Sequence, residues 1–251
     1  MCDEFDILSE QEKKEIENYV LKNMSPTVEQ KMQNVYIGYI DINGMQYMMK
    51  TMPSKEFECL CNDIATLVES ILYEHKSYAK EKTINHKIEF HMFSDNMIFL
   101  CDDLQFLIER LGLLQRRMVV QLKLTIKGCI DYGEIYYYKN RFVLGKGLVS
   151  AYKVDADYHN PAIQINRKLI SSELWGVMKV AFDEYVIDYY RISAALSEDF
   201  WIEEIQCIKN FIEENLLRKD YTDDVVHKYL WMKDYHNIMC KKEGHCEFLI
   251  K

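Results

Sequence analysis

The chain has 251 residues, 49% of them hydrophobic and 28% charged, and its 31 Lys and Arg against 40 Asp and Glu give a formal charge of −9. This is the composition of a globular chain with a sizeable core, and the acidic balance argues against a broad nucleic-acid surface. No stretch approaches the ~18 apolar residues of a membrane span, the acidic start "MCDEFDILSEQEKK" lacks a signal-peptide pattern, and the eight cysteines are therefore expected to be reduced thiols of a cytoplasmic protein.

In chain order, Ser9 to Glu12 form a capping box that opens an N-terminal helical region, residues 1–33. Residues 35–42 read as a strand of β-formers. After Pro53, a helix is expected with Phe57, Leu60, Ile64, Leu67, Val68, Ile71 and Leu72 on one face. Cys59 and Cys61 read as packing residues within it. "KIEFHMFSDNMIFLC" is a hairpin about Ser94-Asp95-Asn96. The next helix turns Leu104, Leu107, Ile108, Leu111 and Leu114 inward. Its arginines, Arg116 and Arg117, suit the negative end of a helix, and a phosphate contact is the other option for them.

"KLTIKGCIDYGEIYYYKNRFVLG" reads as a long strand, a Lys139-Asn140 turn and a return strand. Gly128 and Gly133 mark bulges or close backbone approach, and Tyr136 to Tyr138 suit a hairpin arm or a dimer contact. "KGLVSAYKVDADY" is a helix, "PAIQIN" and "EYVIDYY" are strands, and two helices follow from Ser197. Among these, Trp201, Phe211, Leu230 and Trp231 read as packing residues. Cys240, His245 and Cys246, with His236 nearby, lack a second ligand pair at zinc spacing and read as tail thiols. The element order predicts an α+β palm, a mostly antiparallel sheet with helices on one face, over residues 34–192. Residues 193–251 form a C-terminal helical extension packed on the same domain.

Two aspartates stand out. Asp41 ends the first strand, and Asp95 lies at the tip of the hairpin that neighbours it in a palm. Each alone is ordinary turn chemistry. Together they would place two carboxylates at one sheet edge, a hard oxygen site for Mg²⁺ with room left for substrate phosphates. Asn43 and Gly44 follow Asp41, and a glycine turn entering a helix offers free N–H groups to phosphate. Tyr47, a few residues on, is either a base contact or core. Lys127, Lys146 and Lys153 are the candidate triphosphate cations, with solvated charge as the plain alternative.

"YIGYIDINGM" resembles the first metal motif of class III nucleotidyl cyclases, and "MFSDNMIFL" the second. The serine before Asp95 is similar to that of the bacterial Pycsar pyrimidine cyclases. The stretch from Ile126 to Asn166 resembles that branch's third block, and "HKYLWMKDYHN" its C-terminal helix, so the ordered set spans about residues 34–240. The resemblance implies conversion of a pyrimidine nucleoside triphosphate, UTP or CTP, to a 3′,5′-cyclic nucleotide and pyrophosphate, and UTP is the substrate expected here. It implies two Mg²⁺ or Mn²⁺ ions held by Asp41, Asp95 and the Ile42 carbonyl, with Lys153 as the catalytic cation. Asn43, Gly44, Tyr47, Lys127 and Lys146 would bind substrate. It further implies a homodimer with sites at the interface, and a separate effector protein that senses the product in antiphage defence.

Some positions depart from the family pattern. The helix after the third block carries Ser150 and Lys153 where purine cyclases have asparagine and arginine, and Lys127 stands in place of an arginine. A lysine meets phosphate as a point charge and not as a bidentate fork. The alternative is a catalytically inactive nucleotide-binding module on the same fold. A palm polymerase or dinucleotide cyclase fits less well, because no "GGDEF"-like signature is present.

Overall fold

The structure is a computed structural model that describes residues 31–82, 86–138, 142–181, 184–195 and 198–251. The expected N-terminal helix and the Lys139-Asn140 turn lie outside the described residues. The first strand, β1, is Lys31–Ile42, so residues 31–33 belong to the sheet. A short helix α1 (Met45–Thr51) and a long helix α2 (Ser54–Lys82) follow. Then come β2 (Ile88–Phe93), β3 (Asn96–Cys101) and α3 (Leu104–Leu122). The next group is β4 (Ile126–Tyr138), β5 (Phe142–Leu144) and α4 (Lys146–Asp157). The chain continues through β6 (Ile163–Ile165), β7 (Val177–Ala181) and β8 (Glu184–Ile187) to α5 (Tyr189–Ala194). Tyr189 and Tyr190, read from sequence as strand, start this helix. Two helices close the chain, α6 (Glu198–Leu216) and α7 (Asp223–Glu243).

The sheet order is β2-β3-β1-β4-β6-β8-β7, with β5 paired to β4 alone. All pairings are antiparallel except β4 with β6. Strand β1 therefore sits between the hairpin β2-β3 and β4. This is the split arrangement of an α+β palm, the fold class the element order predicts.

Alternation along β1 divides the core between two faces. Ile40 and Ile42 join Ile64, Leu67 and Ile71 of α2 and Leu107, Leu111 and Leu114 of α3 in the main core. The helix faces predicted from periodicity are those that are buried. Cys59 and Cys61 are exposed on the outer face of α2 and do not pack. Val35, Ile37 and Tyr39 point the other way, to Ala151 of α4, so this helix lies on the face opposite α2 and α3 and the helices are not confined to one face as expected. That helix lies close because both elements carry glycine there. A Cβ on Gly133 would stand 2.7 Å from the Cα of Gly147. The C-terminal helices build a further cluster on α3, in which Val119 meets Ile205, Ile208, Phe211, Met232, Tyr235 and Met239. Leu230, read as packing, is 44% exposed. None of the described helices is long and apolar enough to cross a membrane.

Candidate active site

Asp41 is the penultimate residue of β1. It faces Asn96 of β3 on one side and Lys127 of β4 on the other. Asp95 occupies the two-residue turn between β2 and β3, where Ser94 takes a φ of 58°. The Ile42 amide donates to the Asp95 carbonyl at 3.1 Å. This bond ties the two aspartate-bearing turns together. The next amide, Asn43, donates to the Thr125 carbonyl at 3.0 Å, so these two N–H groups are already engaged. Gly44 then takes a φ of 81° as the N-cap of α1, a left-handed conformation that a Cβ disfavours. The buried Met45 anchors the helix behind it.

A cleft of about 440 Å³ opens at this edge, lined by Asp41, Ile42, Asn43, Gly44, Tyr47, Asp95 and Lys127. Seven of the nine residues expected from sequence are thus brought together. Tyr47 is 64% exposed and not core. Lys146 and Lys153 do not reach the cleft. The inward stripe of α4 is Gly147, Ala151 and Asp155, one residue per turn, and this spacing leaves Lys146 and Lys153 exposed on other faces. Arg116 and Arg117 are also elsewhere, because α3 runs on to Leu122. Arg116 Nε pairs with Glu204 of α6 at 3.4 Å, and Arg117 donates to Ser70 Oγ of α2 at 3.0 Å.

The electrostatics centre on Lys127. Its ammonium is 2.7 Å from Asp155 Oδ2 and 3.6 Å from Asp41 Oδ2. Lys127 is therefore committed to carboxylates and is not a free phosphate contact. Burial pushes the Asp41 carboxyl above its ordinary value; Lys127 opposes this, and Asp155 and Asp95 add to it. Burial raises Asp155 in the same way, again against Lys127. Its Oδ1 is buried with no hydrogen-bond partner among the described residues. Three acids thus share a half-buried edge whose nearest lysine is already paired.

Such a site fits a divalent cation. Asp41 keeps 25% of its side chain open to the cleft, Asp95 and Ile42 line the same space, and the donors are hard oxygens. Among the described residues no group of three or more His, Cys, Asp and Glu forms a metal set. Two carboxylates therefore leave most of the coordination to carbonyl, water and phosphate oxygens, as Mg²⁺ favours.

A short relay positions Asp95. The Tyr39 hydroxyl donates to Asn96 Oδ1, and Asn96 Nδ2 donates to Asp95 Oδ1 at 3.1 Å. Burial, helped by Asp155 and Asp41, pushes the Tyr39 phenol up to about 12, which keeps it a donor. Sequence reading missed this pair, although period 2 places Tyr39 on the same face as Asp41. It also missed Asp155, Lys50 and Lys228. Lys228 comes from α7 and donates to Asn43 Oδ1 at 2.8 Å, across 185 residues of sequence. No local pattern signals a contact of that separation.

The fold and site define an α+β palm with a two-aspartate edge. No family model matches the chain, and no curated protein matches it. Among solved structures it is similar to the adenylyl cyclase CyaB from P. aeruginosa, at 13% identity over 64% of this chain and 94% of that one, with a TM-score of 0.43. It is similar to the guanylyl cyclase domain of the RhoGC fusion protein from Blastocladiella emersonii, at 14% identity, 64% and 98% coverage and a TM-score of 0.43. A class III adenylyl cyclase-like ATP-binding protein from Pseudomonas aeruginosa gives 14% identity and a TM-score of 0.45, with 76% of this chain covering half (50%) of that one. At this level of likeness the comparisons concern the fold and add nothing to the chemistry of the cleft.

Proposed function

We propose that the chain is a nucleotidyl cyclase that closes a pyrimidine nucleoside triphosphate, UTP in preference to CTP, to a 3′,5′-cyclic nucleotide. The observation that carries this is the meeting of Asp41 and Asp95 at one cleft, joined through the bond from the Ile42 amide to the Asp95 carbonyl. The pyrimidine preference rests on the Ser94-Asp95 pair and the Ala151-Tyr152 helix, through the resemblance of these motifs. So do the role in antiphage defence and the separate effector that senses the product.

In the reaction the ribose 3′-oxygen forms a bond to the α-phosphorus while the bond to pyrophosphate breaks, and the 3′-hydroxyl proton passes to solvent water. Asp41, Asp95 and the Ile42 carbonyl would hold two Mg²⁺ or Mn²⁺ ions, which would supply charge neutralisation at the phosphates and acidify the 3′-hydroxyl. Tyr39 and Asn96 fix the Asp95 carboxylate, so that little reorganisation accompanies the chemistry. Lys127 balances Asp41 and Asp155 in the resting site. Gly44 lets substrate approach the backbone, and Tyr47 offers a ring to the base. Lys146 and Lys153, exposed on α4, are available to a second copy's cleft and not to their own, which suits a homodimer with sites at the interface.

Incubation of the purified protein with each of the four triphosphates and Mn²⁺ tests this. A cyclic pyrimidine nucleotide is expected, with turnover abolished in Asp41→Ala and Asp95→Ala and the fold retained. Absence of cyclic product from all four would sink the enzyme. The second reading, a non-catalytic nucleotide-binding module, is favoured by the Lys127 ammonium at 3.6 Å from Asp41, where it competes with a metal ion. Tight triphosphate binding by calorimetry without product would select it.

A further inference from the structure

The cations at the cleft are not equivalent. Lys127 is held by Asp155 at 2.7 Å, with Asp41 beside it. Lys50 is exposed on α1. Lys228 differs from both. It is half-buried, and its Nζ donates at 2.8 Å to Asn43 Oδ1, a neutral acceptor. An ammonium has three N–H donors, so two remain for another ligand. Beside it, Asn43 Nδ2 is buried with no hydrogen-bond partner among the described residues. Two groups with unspent donors, the Lys228 ammonium and the Asn43 side-chain amide, thus meet at the turn that follows Asp41.

Lys228 also stands in the wall between two spaces. One is the cleft with both aspartates. The other, of about 540 Å³, lies between this turn, the end of α3 and the hairpin α6-α7, and it shares Asn43, Gly44, Tyr47 and Lys228 with the first. A polyanion entering a cleft lined by Asp41 and Asp95, with Asp155 buried close to Asp41, is repelled unless a cation faces it. With Lys127 paired, Lys228, which lines the same cleft from α7, is placed to do so.

We propose that Lys228 binds the phosphate chain of the nucleoside triphosphate, so that the C-terminal helical hairpin supplies a substrate-binding cation to the cleft of its own chain. This rests on the cleft being a nucleoside triphosphate site. A charge-assisted contact of this kind is worth about ten- to a hundredfold in affinity. It acts on the β- and γ-phosphates of that chain, which a nucleoside monophosphate lacks, so the monophosphate loses little.

The test is calorimetry with Mn²⁺ on wild type, Lys228→Gln and Lys228→Arg. The probes are the α,β-methylene analogues of the four triphosphates and the matching monophosphates. Lys228→Gln keeps a donor for Asn43 and removes the charge. It is expected to weaken triphosphate binding by about ten- to a hundredfold while monophosphate binding changes by less than about twofold. Lys228→Arg restores most of the loss, and the unfolding midpoints of all three stay close. A lysine that only struts α7 against Asn43 would leave the triphosphate-to-monophosphate ratio unchanged in Lys228→Gln, and that result overturns the proposal alone. A wild type that binds none of the triphosphates overturns the nucleotide site and the proposal together.

Discussion

Lys127 shows how one side chain can be needed by its neighbours more than by a ligand. It lies between Asp41 and Asp155, with 15% of its side chain exposed against 5% for Asp155. Removing one partner of such a buried pair leaves the other charge uncompensated. Lys127→Met is therefore expected to destabilise the protein by about 3 kcal/mol, read from the denaturant midpoint in urea. A midpoint equal to wild type would mean that the pair is screened by water and that Lys127 is free for substrate after all. Asp41 and Asp95 could be singled out from sequence because each ends a β-rich run at a turn. The pairing of Lys127 could not, since it depends on Asp155 arriving from a helix 28 residues on. A lysine beside a glycine in a strand reads equally well as a phosphate contact.

At the level of elements, the approach of α4 to β4 positions the acid that holds Lys127. Gly133 and Gly147 meet backbone to backbone, and a Cβ on Gly133 would also stand 3.2 Å from the Gly147 amide. Backbone cannot swing aside as a flexible side chain can, so an added group must lift the helix. Gly133→Val is expected to cost about 1–3 kcal/mol by overpacking. It should also raise the exposure of Asp155 and Lys127, checked by hydrogen exchange in α4. Unchanged protection there would show that the sheet yields in place of the helix. Most elements were legible because their hydrophobic periods are strong: α2 and α3 bury the residues their 3-4 spacing predicts. Tyr189 and Tyr190 were misread because aromatic residues suit strands by local preference. Tertiary packing of α5 on α6 and α7 decides otherwise, placing both tyrosines in the C-terminal cluster. The exposed Cys59 and Cys61 show the reverse error, apolar residues assigned to a core that the helix turns away from.

Across the whole molecule, the C-terminal hairpin has its own lock, and that lock is sensitive to pH. His236 is buried on α7. Its Nε2 faces the Phe248 carbonyl at 2.9 Å, and its Nδ1 faces the Tyr190 hydroxyl at 2.6 Å. A carbonyl only accepts, so Nε2 carries the proton and Nδ1 accepts from the phenol. That is the neutral ring. Burial lowers the His236 pKa below the ordinary 6.5. The unfolded chain therefore takes up a proton first as pH falls. The stability His236 contributes is full above about 6.5 and is lost as pH drops through that value toward the lower folded one. Thermal melts from about pH 7.5 to about pH 5.5 should show wild type losing stability at up to about 1.4 kcal/mol per pH unit from this group. His236→Gln should show a shallower slope over the same window. Equal slopes would mean that other groups dominate the acid limb.

The bond from Lys228 to Asn43 closes a loop of 185 residues, and this bears on protein synthesis. At about 5–20 residues per second, a ribosome releases Asn43 roughly 10 to 40 seconds before Lys228. During that interval a nascent chain can display both aspartates without the lysine that faces them. On the proposed function, unfinished copies would hold little nucleotide, and the cleft would be completed only once α7 has been made and has docked.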